Sequence, residues 1–227
     1  WNTSICTKEY DLEMDEEISI IDSNTRNEKV KNFFINNKKN LVVSTSIFLI
    51  LVIGYFSFDT FKKKEKLNLA TKFNLTTINF KTEDSEKIIK DLTNIIKKND
   101  ATYSPLALYF LIDNNLVNGL EEINVLFDEL INKTNLEKEI KNLNIYKKAL
   151  FNSSFVSENE LLQILNPIIN SESIWKSHSL YLVAEYFYTK GEKQKAKEFF
   201  NKILALPKAN NEIKLASKKR LNRDLSE

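Results

Sequence analysis

The sequence predicts an all-α protein with a single N-terminal transmembrane helix and, behind it, helical hairpins stacked in series. Three observations carry that expectation. The run Leu41–Phe58, LVVSTSIFLILVIGYFSF, contains no charge. Three Gly and three Pro in 227 residues leave little material for the tight turns of a β fold. Beyond residue 62, apolar residues recur at helical spacing almost without pause.

The apolar run comes first. A hydrocarbon core of about 30 Å needs about 20 apolar residues in a helix. Leu41–Phe58, extended past Asp59 to Phe61, meets that length narrowly. Ser44, Thr45, Ser46 and Gly54 are tolerable because a helix satisfies its own backbone, and Tyr55 with the Phe-rich end suits an interface. A buried core helix would carry a polar face. A cleaved signal peptide wants small residues near its end, and Tyr55-Phe56-Ser57-Phe58-Asp59 has no A-x-A pattern. The sequence therefore predicts an uncleaved signal anchor at 41–61. Arg26, Lys29, Lys31, Lys38 and Lys39 precede it and Lys62, Lys63, Lys64, Lys66 and Lys72 follow, so the positive-inside rule leaves orientation open.

Residues 1–13 have no period and begin with Trp, whereas the only Met is Met14. The expectation is an upstream extension or disordered tail, with the biological start at Met14. Residues 14–40 form a short charged segment, in which Val30, Phe33 and Phe34 at i, i+3, i+4 predict a juxtamembrane helix.

Residues 62–227 form one domain. Lys62–Phe80 continues the apolar helix. Ile88, Ile89, Leu92, Ile95 and Ile96 make the next face, capped by Thr82 or Asp84. Ser104-Pro105 reads as an N-cap with Pro at the first helical position, ahead of Leu106, Ala107, Phe110 and Leu111. Asn118-Gly119 breaks the chain before Leu120–Ile131. Thr134-x-x-Glu137 and Ser157-x-x-Glu160 read as capping boxes opening the following two helices. Pro167 marks the end of the second. Ile174–Tyr188 and Glu192–Leu206 are joined at Gly191, and Ala209–Leu225 closes the chain with Lys218, Lys219 and Arg220 outward.

The Ile174–Leu206 pair carries the most specific pattern. Ala184, Gly191, Ala196 and Phe200 fall at gaps that resemble the tetratricopeptide repeat, a 34-residue helix–turn–helix unit. Small Ala184 and Ala196 let two helices cross closely, Gly191 permits the turn, and Phe200 fills the space toward the next pair. The match is partial: Leu180 stands where Trp is frequent, Ile203 where Ala is preferred, and Pro207 comes one residue early. In such an array the first helix of each pair lines the inner surface, which places His178, Tyr181, Glu185 and Tyr188 there as candidate partner-binding residues. The same tyrosines could instead pack against the neighbouring hairpin. Repeats that clamp a C-terminal carboxylate resemble one another in using Lys and Asn where this chain has Tyr181 and Glu185, so that mode is not expected.

Site chemistry is sparse. Cys6 is the only Cys and lies before the apolar run, so residues 62–227 hold no disulfide, zinc–thiolate set or thiol nucleophile. His178 is the only His. Glu121-Glu122 and Asp128-Glu129 are adjacent in sequence and point to different helix faces, unsuited to paired acid–base work. Gly54, Gly119 and Gly191 are isolated, giving no phosphate loop. Net charge is +2, split about −2 before the apolar run and +5 after it, too diffuse for nucleic acid. The reading is a non-catalytic binding protein with no cofactor, no metal and no small-molecule substrate.

An Asp15-Glu16-Glu17 opening, a Lys-rich approach, a single anchor and the Ala184–Phe200 repeat together resemble the YfgM-like family, ancillary subunits of the SecYEG translocon, in its alphaproteobacterial form. The resemblance spans 14–227. It implies a bacterial inner-membrane protein with a short cytoplasmic N-terminus and a periplasmic repeat domain. It also implies association with translocon subunits, periplasmic chaperones and emerging chains during export. An envelope regulatory tether, or a scaffold for cell-wall and division proteins, is the alternative reading.

Overall fold

The computed structural model describes residues 27–78, 80, 84–117 and 119–225. The expectations for 1–13, Met14, Cys6, Asp15-Glu16-Glu17, Thr82 and Asn118 lie outside these residues. All described secondary structure is helical. Residues 27–36 are the first helical stretch, α1. The others are α2 Lys38–Ile78, α3 Ser85–Ile96, α4 Tyr103–Asp113, α5 Leu120–Lys133, α6 Lys138–Asn152, α7 Glu158–Ile169, α8 Lys176–Thr189, α9 Lys193–Ala205 and α10 Asn211–Arg223. The chain divides into two compact units, Trp1–Lys64 and Glu65–Glu227.

In the first unit the apolar run is helical throughout, and its 18-residue window has a mean hydropathy of 2.3 with none of it buried in the protein. At 1.5 Å per residue that window spans about 27 Å, enough to cross a bilayer. Two hydroxyls along this helix are satisfied locally: Ser46 Oγ donates to the Val42 carbonyl and Thr60 Oγ1 to that of Phe56, each at 2.8 Å. One detail differs from expectation: the apolar helix is not N-terminal, since α1 precedes it. Its continuation beyond residue 61 is as expected, ending two residues short of Phe80. No Pro or Gly interrupts Lys62–Ile78, whose Lys, Leu and Ala are good helix formers, so α2 runs on for 41 residues.

The second unit is built from α3–α10 and the end of α2. Helix starts in this unit are regular. α3, α5, α7 and α9 begin at Ser85, Leu120, Glu158 and Lys193, and α4, α6, α8 and α10 at Tyr103, Lys138, Lys176 and Asn211; each series advances by 35, 38 and 35 residues. The odd-numbered series buries the same three positions every time, at i, i+4 and i+7. Ile88, Ile123, Leu161 and Ala196 form the first set. Leu92, Phe127, Leu165 and Phe200 form the second, and Ile95, Leu130, Ile168 and Ile203 the third; all twelve are at most 2% exposed. Several hydrogen bonds join neighbouring hairpins at a similar separation. Tyr109 donates to Asn144 Oδ1, Thr134 to Asn99 Oδ1, Ser173 to Glu139 Oε2 and Arg220 to Glu185, across 34 or 35 residues each.

Side-chain caps open three helices of this unit, α3, α7 and α10. Asp84 caps α3 by accepting from the Glu86 N–H, and Ser157 and Glu160 close a reciprocal capping box on α7. Pro167 sits in the last turn of α7. Two expected caps are corrected. α4 starts at Tyr103, where Asp100 Oδ1 accepts from the Thr102 and Tyr103 N–H groups, and buried Ser104 donates its hydroxyl to the Ile95 carbonyl at 3.0 Å. Thr134 forms no box with Glu137, because its hydroxyl turns back to Asn99 and α6 opens without a side-chain cap.

Ala184, Ala196 and Phe200 are fully buried between α8 and α9, and Gly191 turns the chain at φ +78°. A Cβ at Gly191 would meet nothing within 4 Å, so only backbone strain opposes a side chain there. Gly191→Ala is therefore expected to lower stability by about 1–2 kcal/mol, read from urea unfolding of the full chain. A neutral result would mean the turn relaxes out of the left-handed region.

Candidate functional site

α8 sits between α6 and α10, and the four residues singled out by sequence lie along one side of it. All four are half-buried. Tyr181 meets the Phe200 ring edge-on, with centroids 5.5 Å apart. Glu185 is gripped by Arg220 in a two-point pair, Nε to Oε1 and an Nη to Oε2, both 2.7 Å. The same guanidinium lies 4.8 Å from the Tyr188 ring and donates to Asp224 at 2.9 Å. Arg223 also bonds Asp224, and the two guanidinium groups hold that carboxyl well below the usual range.

Tyr181, Glu185 and Tyr188 thus form one half-buried cluster tied to α10 through Arg220. Burial, with Glu185 beside it, raises the Tyr181 phenol. Arg220, expected outward with Lys218 and Lys219, is its central cation. The sequence signal for it was the 35-residue offset from Glu185, visible only once the repeat stride is known.

His178 stands apart, in an aromatic group with Trp175 (centroids 5.1 Å) and Tyr146 (6.0 Å) that joins α6 to α8. Its Nδ1 is buried without a hydrogen-bond partner. Burial lowers its pKa, partly offset by the Ile174 backbone and the Glu212 charge. A depressed folded-state pKa means the fold favours the neutral ring. Stability is full above the unfolded value of about 6.5 and falls as pH drops through it. Since His178 is the only His, melting temperature should decline between pH 7.5 and 5.5 in the native chain. The decline should flatten in His178→Asn; an unchanged slope would remove this residue as the cause.

Two open grooves follow the same helices. One, of 280 Å³, is lined by Tyr109, Ile112, Phe127, Lys147, Leu150 and Phe151, with Asp113 at its edge. Lys147 Nζ lies 3.4 Å over the Tyr109 ring, and burial pushes that phenol up to about 12. The other, of 410 Å³, is lined by residues that include Ser153, Ser154, Glu185, Tyr186, Thr189 and Lys190. Nothing in the geometry directs a covalent reaction at either groove; both offer shape, ring faces and a few charges, which suits recognition.

No family model, curated protein or solved structure matches this chain.

Proposed function

We propose that this chain is a non-catalytic, single-pass membrane protein whose second unit is a tetratricopeptide-like array for binding other proteins. The observation that carries the reading is the stride: helix starts and buried positions recur every 35–38 residues, and several cross-links span 33–37. A hairpin of this kind cannot cover its own apolar face, so copies stack and present the alternate helices as a shared surface. The uncovered apolar helix supplies the tether. On the resemblance to YfgM-like proteins, the array is periplasmic. It associates with SecYEG subunits and periplasmic chaperones, and helps hand over emerging chains at a bacterial inner membrane.

Two measurements test this. An alkaline phosphatase fused after Leu225 should be active and a green fluorescent protein fusion dark; the reverse pattern would place the array in the cytoplasm and end the export reading. Photo-crosslinkers at exposed Val125, Leu150, Lys190 and Leu215 in the full chain should capture translocon subunits or a membrane-bound chaperone. Silence from all four positions would overturn the adaptor role.

A further inference from the structure

The apolar run of α2 ends in a face with its own chemistry. Phe56, Ser57, Thr60, Phe61 and Lys64 line an open hollow of 470 Å³ along the helix. Ser57, Thr60, Phe61 and Lys64 are spaced i, i+3, i+4 and i+7, so they share one side of it. All five belong to the first compact unit, and the two rings are 64% and 66% exposed, so no part of that unit covers them.

Depth decides what this face meets. Counted from Leu41 at 1.5 Å per residue, about 30 Å of hydrocarbon is used up near Phe61. Lys64 lies about 4.5 Å further along the helix, inside a headgroup layer about 5–7 Å thick. An occupant of the hollow is therefore apolar beside Phe56 and Phe61 and anionic one turn beyond them.

The charges single out one residue. Asp59 is the only acid between Leu41 and Lys64, and Lys63 neutralises it at 2.7 Å. Lys62 turns elsewhere, with its Nζ 4.7 Å from the centre of the Phe58 ring. Glu65 and Lys66, next in sequence, cancel in charge. Lys64 lines the hollow, is exposed, and has no ion-pair partner among the described residues.

We propose that this face binds an anionic phospholipid, its phosphodiester on Lys64 and an acyl chain against Phe56 and Phe61. The proposal rests on the membrane-spanning reading above and gives that span a lipid ligand.

The test places benzoylphenylalanine at Phe61 of the full chain, in vesicles of equimolar phosphatidylglycerol and phosphatidylcholine with matched acyl chains. Mass spectrometry after illumination counts the two lipid adducts. Phosphatidylglycerol adducts should prevail by roughly three- to fivefold. Lys64→Gln should bring the ratio to parity, whereas Lys62→Gln, which leaves the hollow intact, should keep it. Parity in the native chain, a preference untouched by Lys64→Gln, or a crosslinked dimer in place of lipid adducts would each overturn the proposal. Equal losses from the two lysine variants would also overturn it, because they would show diffuse attraction without a site. Inorganic phosphate should displace no more lipid than sodium chloride of equal ionic strength; greater displacement would assign the hollow to a free anion. The same probe at Leu51 separates the two possible failures. Adducts of either lipid at Leu51 with parity at Phe61 would keep the span and end the lipid site, and no lipid adduct at Leu51 would end both.

Discussion

Phe200→Ala is expected to lower unfolding free energy by about 3–5 kcal/mol and to do so unevenly along the chain. The ring is fully buried, met edge-on by Tyr181 and backed by Ala184 and Ala196, whose side chains cannot reach into a vacated space. The lost transfer energy is therefore joined by a cavity that the surroundings fill poorly. In the linear array proposed above, each hairpin would lean only on its neighbours. Losing Phe200 should uncouple α9 and α10 from α8 and leave α3–α6 protected. Hydrogen exchange of the full chain in detergent reads this directly: amides of α9 and α10 should exchange first, while those of α3 and α4 keep native rates. Phe127→Ala, the same position two copies earlier, should remove a similar amount but loosen helices on both sides. A uniform loss of protection in Phe200→Ala would show one cooperative core in place of a series, and a loss under about 1 kcal/mol would mean the ring is not what fills the crossing.

Much of this architecture was legible in the sequence, for a physical reason. Helical faces are written in local spacing, so Ile88–Ile96 and Leu120–Ile131 could be read without tertiary knowledge, and the small–turn–small–large pattern at Ala184, Gly191, Ala196 and Phe200 marks a close crossing. The Ser157–Glu160 box was legible because both partners sit within one turn. The Thr134–Glu137 box has the same spelling and failed, since a hydroxyl that can reach Asn99 35 residues upstream has a competitor the local pattern does not show. Ser104 misled in the same way, its hydroxyl taken by the Ile95 carbonyl. The cluster around Glu185 was half legible. Register placed Tyr181, Glu185 and Tyr188 on one side of α8, but Arg220 lies in a Lys- and Arg-rich helix where nothing local separates an inward cation from outward ones. The grooves were not legible at all, because they are gaps between copies and exist only once the stride has brought α4, α6 and α8 together.

The second large effect belongs to the apolar helix. Leu49→Arg together with Ile50→Arg is expected to abolish stable membrane integration. Both positions are near the middle of the uncharged run and more than half exposed in the protein, so no packed interior could shelter the new charges. Each Arg at the centre of a spanning helix costs about 2.5–3.5 kcal/mol on insertion scales, and each lost Leu or Ile removes about 0.3–0.6 kcal/mol of favourable transfer. The pair sums to about 6–8 kcal/mol before snorkelling reduces it, roughly four to six orders of magnitude in partition. Leu67→Arg with Leu75→Arg makes the matching control. These residues are exposed on the same helix but lie beyond Lys62–Lys66, where a bilayer thickness counted from Leu41 has already been used up. Alkaline carbonate extraction should leave the native chain and the control in the pellet and release the Leu49/Ile50 variant. Retention of that variant would mean the run does not span a bilayer, and a native chain released by carbonate would mean the same. In either case the large exposed side chains from Val42 to Phe61 would need another cover, because a soluble protein does not leave a patch of that extent facing water.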